Sequence, residues 1–162
     1  MKAQFAKGAD PRGGVVMAVS STRSFEIKAT PEQVMAGIAA VDRLPEWSST
    51  HKSVTVESTH PDGRPHRVRM TVSIIGITDE QVVDYSWNGD ESMSWTLVES
   101  AQQNVQDGSY TLTASDKGTK VDFSLAIDPK IPVPGFLVRR AEKTAIETAG
   151  KGLTKFVETN FV

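Results

Sequence analysis

The sequence predicts an α+β fold: a meander of seven mostly antiparallel strands whose apolar face is covered by one long C-terminal helix. Three observations carry this expectation. A helical period runs without interruption from Pro134 to about Asn160. A period of two, broken by turn sequences, runs from about Val54 to Ile127. Between Thr30 and Trp47 lies a short pair of helical signals that separates the first strand from the rest.

The elements follow in order. Ala18 to Ile27 alternates Val19, Ser21, Arg23, Phe25 and Ile27 against Ser20, Thr22, Ser24 and Glu26, the pattern of a strand with a polar early part. Thr30-Pro31-Glu32-Gln33 starts a helix, with Thr30 as N-cap, Pro31 in the first position and Gln33 completing a capping box. That helix carries Val34, Ile38 and Val41 and ends near Asp42, and Leu44-Pro45-Glu46-Trp47-Ser48 forms a second short helix or a turn. Val54 and Val56 then open the alternation, and His60-Pro61-Asp62-Gly63-Arg64 turns the chain. Further strands hold Val68, Met70, Val72 and Ile74, then Val83, Tyr85 and Trp87, with Asn88-Gly89-Asp90 as a hairpin signal before Met93, Trp95 and Leu97. Gln103 to Ala114 has Tyr110 and Leu112 as its inward pair and Gly108 as a candidate bulge. Val121, Phe123, Leu125 and Ile127 complete the series.

In the long helix, Pro134 suits the first position, where its missing N–H would be unpaired anyway. Leu137, Val138, Ala141, Ala145, Ala149, Gly152, Leu153 and Phe156 form one face, with Arg139, Glu142, Lys143, Glu147, Lys151 and Glu158 largely on the other. The middle of the apolar face is small: Ala141, Thr144, Ala145, Thr148, Ala149 and Gly152 serve either close helix-to-sheet packing or the wall of a cavity.

With 162 residues, 38% hydrophobic and 23% charged, the chain has the size and composition of a single globular domain. The formal net charge of −2 and the lack of a long basic run argue against nucleic acid as the main partner. Without cysteine there is no disulfide, thiolate nucleophile or cysteine zinc site, which fits a cytoplasmic protein. Residues 1–17 are expected to be a poorly ordered leader, cloning-derived or from an alternative start, ahead of a domain spanning 18–162. They lack the apolar stretch of a signal peptide, and no segment has the apolar length to span a bilayer.

The order of elements from Ala18 to Asn160 resembles the START-like superfamily, also called SRPBCC, helix-grip or Bet v 1-like. Three stretches support the likeness: Thr30-Pro31-Glu32-Gln33-Val34 at the first helix, Leu44-Pro45-Glu46-Trp47 before the second strand, and Ile131-Pro132-Val133-Pro134 with Leu137-Val138-Arg139-Arg140 at the entry to the last helix. The third is similar to bacterial polyketide cyclase/dehydrase and lipid-transport members. The resemblance implies a curved sheet wrapped around the last helix, with a cavity between them for lipids, polyketides or other hydrophobic molecules. It adds weight to the cavity-wall reading of the small residues. These stretches specify a fold and not an activity.

Within that frame the expected ligand-binding residues are Trp47, Met70, Val72, Tyr85, Trp87, Met93, Trp95, Tyr110, Phe123, Leu137, Ala141, Thr144, Ala145 and Thr148. Trp87 and Trp95 flank the Asn88-Gly89 turn and either stack across the hairpin or touch ligand. Buried hydroxyls of Tyr85 and Tyr110 need partners and could orient a ligand oxygen. Arg23, on the apolar parity, either snorkels to water or points inward to hold a carboxylate or enolate. His51, His60 and His66 match no metal spacing and are expected to be exposed, and Asp84 and Asp122 fall on the polar face.

No cofactor or metal is expected. The first functional expectation is a carrier, store or sensor of a hydrophobic small molecule, acting as a monomer or homodimer. The alternative is a polyketide cyclase, aromatase or dehydratase, for which Arg23, Tyr85 and Tyr110 are the catalytic candidates. A third reading, a stress or toxin–antitoxin partner, would use the surface of the sheet.

Overall fold

The computed structural model describes residues 2–9 and 15–162, with side chains from Ser20 onward. Strands β1 (Lys2–Ala9) and β2 (Val15–Ile27) are followed by helix α1 (Pro31–Ala39), a 3-10 turn (Val41–Arg43) and the one-turn helix α2 (Leu44–Trp47). Then come β3 (His51–Val56), β4 (Arg67–Ile74), β5 (Ile77–Asn88), β6 (Ser92–Ser100), β7 (Gln103–Ser115) and β8 (Gly118–Pro129). The C-terminal helix consists of α3 (Gly135–Glu147), a π segment (Thr148–Gly152) and α4 (Leu153–Asn160). Among the described residues no helix is long and apolar enough to cross a membrane.

All strands belong to one antiparallel sheet in the order β1-β2-β8-β7-β6-β5-β4-β3. Strands β2 to β8 are the seven predicted. The eighth, β1, comes from the leader and pairs along β2 from Lys2 opposite Thr22 to Ala9 opposite Val15. The edge of β2 would otherwise leave backbone donors and acceptors unpaired, and β1 satisfies them. Residue 1 and residues 10–14 of the leader lie outside the described residues.

Local chemistry sets the boundaries. The capping box at Thr30 is complete: the Gln33 N–H donates to Thr30 Oγ1 (3.2 Å) and the Thr30 N–H to Gln33 Oε1 (2.9 Å). Pro134 is the N-cap and not the first helical residue, and the helix begins at Gly135. Gly108 does not form a bulge, since it pairs in regular register with Trp95. Register shifts occur at His51/Ser53, at Val82/Val83 and at Gln103/Val105.

The core lies between the sheet and the C-terminal helix. Val68, Val83, Val121, Ile146, Leu153 and Val157 are each at most 1% exposed. Gly37 draws α1 against Val157 of α4, where a Cβ would meet the valine methyl. The π segment lets one wide turn pass α2, and a Cβ on Gly152 would overlap the carbonyl of Trp47. Thr154 Oγ1 donates to the Gly150 carbonyl (2.6 Å), satisfying an acceptor in the widened turn.

Candidate ligand cavity

Between the concave face of the sheet and the small residues of the C-terminal helix lies a cavity of about 150 Å³. Met70, Tyr85, Met93, Trp95, Tyr110 and Phe123 form its sheet wall, joined by Val72. The helix contributes Ala141, Ala145, Thr148 and Ala149, and α2 contributes Trp47. A second chamber of about 150 Å³ adjoins it and shares Val72, Ile74, Gln103, Leu125, Ile127 and Ala141. Each is smaller than a typical small-molecule site, roughly 300–1,000 Å³, and the two share a wall.

The space exists because side chains opposite each other differ in size. The aromatic rings interlock on the sheet: Trp95 has its ring centre 6.1 Å from Tyr85, 5.9 Å from Tyr110 and 6.2 Å from Phe123. Across the gap the helix presents only the short side chains of Ala141, Ala145, Thr148 and Ala149. Trp47 closes the α2 side and stacks on Phe156, with ring centres 6.2 Å apart.

The inner cavity carries unpaired donors beside its paired polar groups. The hydroxyls of Tyr85 and Tyr110 have no hydrogen-bond partner among the described residues, although both side chains are buried. Burial holds both phenols well above their ordinary pKa, and Tyr85 adds to the shift of Tyr110. They stay neutral at physiological pH and act as O–H donors, not as bases. The Trp47 indole N–H is buried and likewise unpartnered.

A glutamine network forms another part of the wall. Gln103 Nε2 donates to Asp79 Oδ2 (2.9 Å) and to Gln81 Oε1 (3.1 Å). Gln106 Nε2 donates to Gln81 Oε1 (3.2 Å) and Gln103 Oε1 (3.0 Å), and Trp95 Nε1 donates to Gln106 Oε1 (2.9 Å). Two donors converge on Gln81 Oε1, and the Gln81 amide nitrogen, on the lining, has no partner among the described residues.

His51 corrects the expectation of exposed histidines. It lines the cavity, with Nδ1 2.6 Å from Ser48 Oγ and 3.3 Å from Thr50 Oγ1. Burial pushes its pKa down to about 4, so the imidazole is neutral at pH 7. His60 also turns inward on the outer layer, with Nε2 2.8 Å from the Tyr85 carbonyl. The strand β3 starts one turn after α2, so the Ser48–His51 segment follows the lid and not the solvent.

Other expected residues lie elsewhere. Trp87 is outside the cavity lining: its Nε1 donates to the Pro65 carbonyl (2.7 Å), and the Arg64 guanidinium sits 5.3 Å from its ring centre. Arg23 is half-buried in a shallow outer groove with Phe25, Gly150 and Lys151, because β2 carries it past the helix at the π turn. Leu137 lines the second chamber, and Thr144 lines neither chamber. Glu142, expected on the solvent side, is buried against the second chamber. Asp84 does stay on the polar face, paired with Arg67 at 2.9 Å.

The family described as polyketide cyclase / dehydrase and lipid transport matches residues 18–159. The chain belongs to that family. This polyketide cyclase/dehydrase and lipid-transport member has the fold of solved START-like proteins. A START superfamily protein from Mycobacterium smegmatis is 22% identical, with a TM-score of 0.76, over 88% of this chain and 97% of that one. The protein TTHA0849 from Thermus thermophilus is 22% identical with a TM-score of 0.70, over 88% and 97%. The Zhui aromatase/cyclase from a Streptomyces species is 12% identical with a TM-score of 0.68, over 88% and 94%. At these identities the likeness speaks for the fold alone. A comparison with curated protein sequences finds no match.

Proposed function

We propose that this protein binds a hydrophobic small molecule bearing oxygen acceptors, a lipid or a polyketide-like compound, for carriage, storage or sensing. The observation that carries the reading is the inner cavity, apolar in its walls yet furnished with unpaired donors on Tyr85, Tyr110 and Gln81. An apolar ligand body gains about 25 cal/mol for each Å² it buries. A carbonyl or hydroxyl oxygen on it would satisfy donors that the protein leaves open.

A second reading, polyketide cyclisation or dehydration, is favoured by His51. The unprotonated imidazole on the cavity wall could take a proton from the carbon between two carbonyls, the developing enolate charge offsetting the burial that otherwise holds its pKa at about 4. The electron pair of that C–H bond then moves to a carbonyl oxygen, which a tyrosine O–H stabilises.

Native mass spectrometry after incubation with a lipid and metabolite extract tests both. A hydrophobic compound retained and released unchanged supports the binding function. Release of a product lighter by water supports the second, and retention of nothing refutes both.

A further inference from the structure

The second chamber differs from the first in the polarity of its unused groups. It is walled largely by Ile74, Ile77, Ile131, Val133 and Leu137. Glu142 of α3 lies on its lining, is 8% exposed, and has Oε2 fully closed off from solvent with no hydrogen-bond partner. Neither carboxylate oxygen of Glu142 has an ion-pair partner among the described residues. Ser21 of β2, also on the lining and 1% exposed, has an equally unpartnered Oγ.

The other acid of the chamber is already consumed. Asp79 accepts from Ser100 Oγ (2.6 Å), from the N–H groups of Ala101 (3.0 Å) and Gln102 (3.1 Å), and from Gln103 Nε2 (2.9 Å). Asp79 therefore holds the β6–β7 turn, whereas Glu142 makes no ion pair and its Oε2 no hydrogen bond among the described residues. On the same helix Arg139, Arg140 and Lys143 are exposed and do not pair with it. A carboxylate placed in an apolar wall without a partner is costly, and a cationic group from outside the chain would remove that cost.

We infer that the second chamber receives the protonated amine of a hydrophobic amine, with Glu142 as counter-ion and Ser21 Oγ as a further acceptor. The apolar body of that ligand continues into the inner cavity, where the free groups are donors. A hydroxyl would satisfy one lone pair, whereas an ammonium group brings several N–H donors together with the opposite charge. The inference rests on the proposed binding function and narrows its ligand class from any hydrophobic molecule to one with a basic end.

Decylamine, decanol and decanoate share one chain and differ in the end group, so they form the test. Binding is read at pH 7.5 by titration calorimetry and by the fluorescence of Trp47 and Trp95. Decylamine should bind wild type about tenfold more tightly than decanol, with decanoate weakest. Glu142→Gln, nearly isosteric, should bring decylamine to the affinity of decanol and leave decanol within about twofold. Ser21→Ala, should Glu142→Gln not fold, should weaken decylamine about threefold and leave decanol unchanged. Equal affinities in wild type, or an amine preference that survives Glu142→Gln, overturn the inference while leaving the binding function intact. Failure of both decanol and decylamine to bind overturns the binding function together with the inference.

Discussion

The indole of Trp95 packs onto Gly108, its cross-strand partner, so closely that a Cβ on the glycine would overlap the six-membered ring. The same ring touches Tyr85, Tyr110 and Phe123 and anchors Gln106 through its N–H. The aromatic wall of the cavity therefore depends on one missing methyl group.

Gly108→Ala should displace Trp95 and destabilise the fold by about 1–3 kcal/mol, the usual cost of overpacking. Chemical denaturation followed by tryptophan fluorescence measures it. In a Trp95→Phe background the cost should shrink, giving a coupling energy of about 1 kcal/mol or more between these contacting sites. Full additivity of the two substitutions would mean that the ring moves aside without strain.

His51 supplies a pH dependence. Its folded pKa is depressed to about 4 from an ordinary value near 6.5. Between those values the unfolded chain binds a proton that the folded chain does not, so stability rises with pH across the window and is fully present above about pH 6.5. The loss on acidification to pH 4 should reach at most about 3 kcal/mol. His51→Gln should flatten that part of the profile in urea unfolding between pH 4 and 8. A wild-type profile already flat there would place the imidazole in water.

The architecture was legible because its signals are local and repeated. Alternation fixed β4 to β8, Thr30-Pro31-Glu32-Gln33 fixed α1, and the unbroken period after Pro134 fixed the last helix. Parity also selected most of the cavity wall, from Met70 to Phe123. It did not reveal which inward aromatic covers space and which covers backbone: Trp87 and Trp95 share a parity, but only Trp87 meets Pro65 and Arg64. Gln81 sits on the same parity as Val83 and Tyr85, so the sequence did hold its signal. Residue type points His51 and Glu142 toward solvent, and their position in the fold overrides it. Their burial depends on how α2 and α3 close over the sheet, a long-range contact that no local pattern encodes.

Tyr85 and Tyr110 separate binding from folding. Their hydroxyls bond to no described residue, so Tyr85→Phe and Tyr110→Phe should each change stability by less than about 0.5 kcal/mol. Each should weaken an oxygen-bearing ligand by about three- to tenfold, the worth of one hydrogen bond to a neutral group. Thermal melts and calorimetric titration of the ligand identified by mass spectrometry give the two numbers. A large stability loss with unchanged affinity would make the hydroxyls structural.

Ala145 tests the cavity itself. It lies on the inner wall of the C-terminal helix, with the sheet aromatics across the gap. In a packed core Ala145→Leu would force neighbours aside and cost about 1–3 kcal/mol. In a cavity the three added carbons fill free space, so stability should hold or rise while ligand capacity falls. Leucine also favours the helix nearly as well as alanine, which keeps propensity out of the comparison. The melting temperature and the stoichiometry of retained ligand, measured on the same preparation, distinguish the cases. A destabilised Ala145→Leu protein that still binds one full equivalent would show that the ligand lies elsewhere, whereas a stable protein that binds none locates it against this helix face.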